Sequence, residues 1–226
     1  MLTRSLLIIA ACLLAACGRD APPPAVTPVP APAASAAAPP VARPRIVFLG
    51  DSLTAGLGIE PAQSYPSLVG QRLASEGYRY EIVNAGVSGD TSAGGLRRLE
   101  WSLDGDVKVL VVALGANDGL RGLSPAEMKK NLAAVIEQAT AKGVTIVLAG
   151  MEAPPNFGAD YTRQFRAVYG ELAHEYRVRF IPFLLLGVAG NASLNQSDGI
   201  HPNVRGAQMV ADLVWAELKP ALPRPN

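Results

Sequence analysis

The sequence predicts a three-layer α/β/α domain on a parallel five-stranded sheet, and three observations carry that prediction. From Arg45 onward, short β-branched apolar runs alternate with amphipathic segments. Those runs are largely continuous rather than alternating polar and apolar, as strands covered on both faces require. Five strand–helix units follow one another, and parallel strands joined by crossovers pack between two helix layers.

Taken in order, the strands are "RIVFLG" (45–50), "YEIVNA" (80–85), "VKVLVVALG" (107–115), "VTIVLAG" (144–150) and "VRFIPF" (178–183), all read as buried. Helical patterns fall between them at about 61–76, 92–103, 124–142 and 161–176. The third opens on "SPAE" (124–127), with Ser124 as N-cap, a proline at the first helical position and a glutamate at the third. After Pro202 a last helix is expected, with Val204, Ala207, Val210, Leu213 and Val214 on one face.

A chain of 226 residues, 49% apolar, holds one such domain with length to spare. The surplus lies at the start. "MLTRSLLIIAACLLAAC" carries a charge at Arg4 and then an apolar run too short to span a bilayer, the pattern of a secretory signal. Its end, Leu14-Ala15-Ala16-Cys17, resembles the lipobox of bacterial lipoproteins. That resemblance implies a signal peptide over 1–16, diacylglycerol on Cys17 and an exported protein anchored to a membrane. Cys12 would be lost with the signal, so the mature chain has no internal disulfide. Residues 18–44 are Pro/Ala-rich with almost no charge and read as a spacer, leaving 45–222 as the domain. Position two of the mature chain is Gly18 rather than aspartate, which by resemblance to the lipoprotein sorting rule implies the outer membrane, facing the periplasm.

In parallel sheets of this kind, ligands bind outside the carboxyl ends of the strands. There the first strand delivers Gly50-Asp51-Ser52-Leu53, the second "NAGVSGDTS" (84–92) and the third Gly115-Ala116-Asn117-Asp118. The fourth delivers "MEAPPNFG" (151–158), and the fifth opens a loop ending in Asp198 and His201. A serine nucleophile needs a base within reach. The chain has two histidines. His174 lies on a helix away from that edge, which leaves His201. Asp198, three residues earlier, is close enough to hold one ring nitrogen and support the imidazolium formed during attack. A developing oxyanion would find the Ser52 N–H, a backbone N–H at Gly89 and the Asn117 amide. Asp51 is read as shaping the turn, with pairing to His201 as its alternative. Asp90 and Asp118 are read as loop partners.

Together, Gly50-Asp51-Ser52-Leu53, Gly89, Gly115-Ala116-Asn117-Asp118 and Asp198-Gly199-Ile200-His201-Pro202 resemble the blocks of the SGNH hydrolases, also called GDSL esterases/lipases. The order matches across nearly all of 45–220, and the likeness is greatest to the bacterial periplasmic acyl-CoA thioesterase, lysophospholipase and arylesterase type. This resemblance implies a flavodoxin-like sheet, a Ser52–His201–Asp198 triad and an oxyanion hole of Ser52, Gly89 and Asn117. Gly86 is a second candidate for the Gly89 role. The implied activity is cleavage of esters or thioesters through an acyl-enzyme, without cofactor or metal. The anchor is a departure from typical relatives, which are freely soluble after export.

Other classes fit less well. A net charge of +1 without clustered cations argues against nucleic acid. Two distant histidines make no metal-ligand motif, and the Gly50, Gly56 and Gly58 spacing matches no phosphate loop. A tethered scaffold that keeps the fold without catalysis, and a carbohydrate O-acetylesterase, stand as alternatives. Leu120, Leu123, Met151, Pro154, Phe157, Leu184, Leu185 and Ile200 are candidates to line an acyl groove or else to seal the domain edge. Acyl length, thioester preference and oligomeric state have no signature in the sequence.

Overall fold

The computed structural model describes residues 43–223. The expected signal peptide, Cys17 and most of the spacer lie outside the described residues.

Five strands, β1 (Arg45–Gly50), β2 (Glu81–Gly86), β3 (Val107–Ala113), β4 (Thr145–Ala149) and β5 (Arg179–Ile181), form one all-parallel sheet. Their order is β2-β1-β3-β4-β5, the doubly wound flavodoxin-like arrangement that the family resemblance implied. The chain reverses direction across the sheet between β1 and β3. Loops after those two strands diverge there and leave a crevice at their carboxyl ends.

The continuous apolar runs are explained by position. Ile46 to Leu49 of β1 and Leu110 to Val112 of β3 are fully buried, with helices on both sides. On one face α2 (Tyr65–Ser75) packs against α8 (Val204–Leu218). On the other, α3 (Ser92–Arg97), α6 (Pro125–Ala141) and α7 (Ala159–Tyr176) lie side by side. β2 and β5 depart from the expectation of buried strands. Both are edges, so β2 is only half-buried along its length and β5 shortens to three residues before Pro182, which has no N–H for a ladder.

The expected helix over 61–76 is a 3₁₀ turn (Pro61–Gln63) followed by α2, because Ser64 between them is extended (ψ 147°) and Pro66 restarts the helix. The one over 92–103 breaks at Arg98 into α3 and α4 (Leu99–Ser102). Two short helices, α1 (Ser52–Ala55) and α5 (Ala116–Leu120), follow β1 and β3 directly. Ser124 caps α6 as expected, accepting from the Glu127 N–H. The buried face of α8 is Ala207, Val210, Ala211, Val214, Trp215 and Leu218, whereas Val204 is exposed. Val204 is the first helical residue, beyond the reach of the sheet.

Candidate active site

β1 runs from the core straight into the candidate nucleophile. Asp51 follows the strand and caps α1, its Oδ1 accepting the Leu53 N–H at 3.0 Å. This settles its place as a shaper of the turn rather than a partner of His201. The side chain is fully buried, and burial pushes its carboxyl up to about 6. Ser52 is the first residue of α1, where N–H groups have no intrahelical partner.

His201 and Asp198 share one tightly tied loop. An antiparallel bridge pairs Asn195 with Pro202, and the Gln196 N–H donates to the His201 carbonyl at 2.8 Å. Asn203, the N-cap of α8, accepts from the Arg205 and Gly206 N–H groups and donates to the carbonyls of Ser193 and Asn195. Within this loop Asp198 Oδ1 accepts the Ile200 and His201 N–H groups, and Oδ2 lies 2.6 Å from His201 Nδ1. The ring contact first, then the two N–H groups, pull the Asp198 carboxyl down to about 2. His201 Nε2 lies 2.9 Å from Ser52 Oγ. Thus a serine, an imidazole and a charged carboxylate stand in line, joined from opposite ends of the domain. With Nδ1–H held by Asp198, Nε2 is left as the acceptor facing the hydroxyl.

Gly89 stands on the loop after β2 and Asn117 in the first turn of α5. Gly89 has a φ of 84°, which side-chain-bearing residues rarely adopt, and a Cβ there would meet nothing but Arg121 within 4 Å. Gly86 is different. Its N–H donates to Asn84 Oδ1, and a Cβ on it would sit 2.2 Å from the Ala55 nitrogen. Gly86 therefore lets β2 approach α1, whereas the space beside Gly89 is open apart from Arg121. The Asn117 amide donates to the Asp90 carbonyl at 2.9 Å, with a longer contact of 3.4 Å to Asp51 Oδ2. Asp118 is turned inward, accepting from the Ser92 N–H and hydroxyl at 2.8 and 2.6 Å.

An apolar groove of about 400 Å³ adjoins these residues. Leu53, Leu120, Met151, Pro154, Leu185 and Ile200 are among the side chains that line it. Phe157 is not part of the lining. Its ring packs 5.3 Å from that of Tyr161, under the turn at Gly122. Leu184 faces the narrower cleft between Ser52 and α8. His174 is exposed on α7, far along the chain from any of these loops.

Sequence reasoning passed over two cations, Arg121 and Arg98. Arg121 donates to the Gly89 carbonyl at 2.9 Å. Arg98 donates to Asp90 Oδ2 at 2.6 Å. "RR" at 97–98 reads as an exposed helix face, and nothing in the pair says which arginine turns inward.

Fold and site together define a serine hydrolase acting on ester bonds. The chain belongs to the GDSL-like lipase/acylhydrolase family, whose model matches residues 48–209. It is 44% identical over 178 residues to esterase TesA of Pseudomonas aeruginosa, covering 78% of this chain and 89% of that protein. An arylesterase of Vibrio mimicus is 36% identical, with 77% and 88% covered. Thioesterase 1/protease 1/lysophospholipase L1 of Escherichia coli is 35% identical, with 77% and 83% covered. A crystal structure of TesA superposes with a TM-score of 0.76 at 43% identity, spanning 79% of this chain and 99% of that one.

Proposed function

We propose that the protein is an envelope-anchored esterase in which Ser52 attacks the substrate carbonyl, His201 is general base and then acid, and Asp198 orients the ring. The observation that carries this reading is the continuous contact Asp198–His201–Ser52, at 2.6 and 2.9 Å, beside an apolar groove. As Ser52 Oγ bonds to the carbonyl carbon, its proton passes to His201 Nε2. Asp198, held in its charged form, stabilises the imidazolium. The carbonyl oxygen takes the negative charge and is met by the N–H groups of Ser52 and Gly89 and by the Asn117 amide, which exchanges its long 3.4 Å contact with Asp51 for the oxyanion. Collapse expels the alcohol or thiol, which leaves with the proton from Nε2. Water then enters, gives a proton to the same nitrogen as its oxygen bonds to the acyl carbon, and the acid is released as Ser52 Oγ leaves and takes that proton back from Nε2.

Groove chemistry favours an acyl chain over a bare acetyl group, because an apolar wall gains from each methylene it removes from water, about 0.8 kcal/mol. Leu120, Met151, Pro154 and Ile200 are the proposed contacts. The names carried by the relatives point to aryl esters, acyl thioesters and lysophospholipids as substrates to try. Cys17 is the proposed lipid anchor, holding the enzyme at the periplasmic face of the outer membrane.

The test is turnover by Ser52→Ala on a panel of p-nitrophenyl esters, acyl-CoAs and lysophospholipids. Essentially all activity should vanish, together with covalent labelling by a phosphonate, while the circular dichroism spectrum is unchanged. Retained turnover at equal folded concentration would sink the assignment.

A further inference from the structure

We infer that Arg98 is a positioning residue for the oxyanion hole, holding all its donor segments in register from behind. The inference rests on the roles proposed above for Ser52, Gly89 and Asn117. Arg98 sits at the break between α3 and α4 and sends three N–H groups in three directions. Nη2 donates to the Gly50 carbonyl at 2.7 Å, in the peptide that leads into Asp51 and Ser52. Nη1 donates to the Ala85 carbonyl at 2.6 Å, where β2 enters the loop carrying Gly89. Nε donates to Asp90 Oδ2 at 2.6 Å.

The third contact completes the set. The backbone carbonyl of Asp90 accepts the Asn117 amide at 2.9 Å, so Asp90 is tied to Arg98 by its side chain and to Asn117 by its main chain. The Val87 N–H also donates to the Gly50 carbonyl, at 3.0 Å, fastening the second loop to the first at the same oxygen. Room for the carboxylate comes from Gly94, where a Cβ would sit 2.5 Å from Asp90 Oδ1.

One guanidinium therefore links the ends of β1 and β2 and, through Asp90, the amide that follows β3. These segments come from three strands and have no covalent reason to keep their donors converging on one point. A fork of fixed, planar donors enforces that convergence as a flexible point charge does not. Oxyanion donors act through preorganisation, so a small loss of register weakens the transition state while leaving ground-state binding in the groove alone.

The experiment compares Arg98→Lys, Arg98→Ala and the near-isosteric Asp90→Asn with wild type, counting reactive Ser52 by phosphonate titration. For Arg98→Lys we expect kcat per titrated site to fall at least about tenfold, toward the roughly 10²–10³ that loss of a single oxyanion donor brings. KM should stay within about twofold. Affinity for a trifluoromethyl ketone, whose adduct carries the oxyanion, should fall by the same factor as kcat/KM. Added guanidinium ion should restore part of kcat to Arg98→Ala. If Arg98→Ala does not fold, Arg98→Lys and Asp90→Asn carry the test. A wild-type kcat per titrated site in Arg98→Lys overturns the inference, as does a loss confined to KM or to melting temperature. Asn117→Ala separates the two levels. If it loses kcat while Arg98→Lys does not, only the Arg98 role fails; if it too keeps full kcat, the oxyanion reading falls and takes Arg98 with it.

Discussion

At the scale of single residues, two aspartates with the same ordinary carboxyl value are driven in opposite directions by their surroundings. Asp198 accepts from the His201 ring and two N–H groups, and its carboxyl is held at about 2. What it contributes is present above its ordinary value near 4 and is lost only as pH falls through about 2. Asp51 is buried, and desolvation holds its carboxyl at about 6 against an ordinary 3.8. The folded state therefore binds this proton more tightly than the unfolded chain does. Above pH 6 the buried charge opposes folding by an amount of order 2–3 kcal/mol, and the penalty is relieved as pH drops from 6 toward 4. Asp51→Asn should accordingly raise the urea midpoint at pH 8, by a margin that shrinks toward zero at pH 4. It should also slow turnover, because an amide N–H₂ would face the Asn117 amide across the present 3.4 Å contact. A stability gain that does not change with pH would show that Asp51 is not the buried titrating charge. Asp198→Asn is expected to act on chemistry instead, lowering kcat by up to about 10⁴-fold through the wrong ring tautomer. Asn117→Ala should lower kcat by roughly 10²–10³-fold with little change in KM, as measured on a soluble ester.

At the scale of elements, what could be read in advance was what short-range chemistry decides. The strand runs and the Ser124 cap were legible because burial on both faces and an N-terminal hydroxyl leave local marks. Asp198 and His201 were legible because the pair is three residues apart, in one loop. The edges were not. "YEIVNA" is as apolar as a central strand, and only the pairing order leaves β2 at the rim. Arg98 escaped for the same reason, since its acceptors at Gly50 and Ala85 are supplied by strands distant in sequence. Element packing also governs the junction of β2 with α1, where Gly86 touches the Ala55 backbone. Gly86→Ala forces a methyl into that contact, and overpacking of this kind destabilises by about 1–3 kcal/mol. Because α1 carries Ser52, the variant should lose kcat at temperatures where it is still folded. Full activity alongside reduced stability would mean that α1 yields without moving its first residue.

At the scale of the whole molecule, the proposed catalytic groups all fall within the described domain. Every group proposed to take part in catalysis lies between Asp51 and His201, and the family model spans 48–209. The proposed leader and spacer contribute no residue to this list. On that reading the proposed anchor at Cys17 is a matter of address rather than chemistry. Cys17→Ala should block lipidation and either stall processing or release the protein into the soluble periplasmic fraction. On a short soluble ester its kcat and KM should equal those of the lipidated protein. With lysophospholipid presented in vesicles, the lipidated form should be faster, because two or three buried acyl chains hold it at the surface where substrate is concentrated, each methylene contributing about 0.8 kcal/mol. Fractionation, followed by assays on both substrates, separates the possibilities. A soluble-ester rate that falls with Cys17→Ala would place the spacer within the active site and move the domain boundary upstream of Arg45. Equal rates on vesicles would mean that the groove takes its substrate from solution, and that the anchor serves only to retain the enzyme in the envelope.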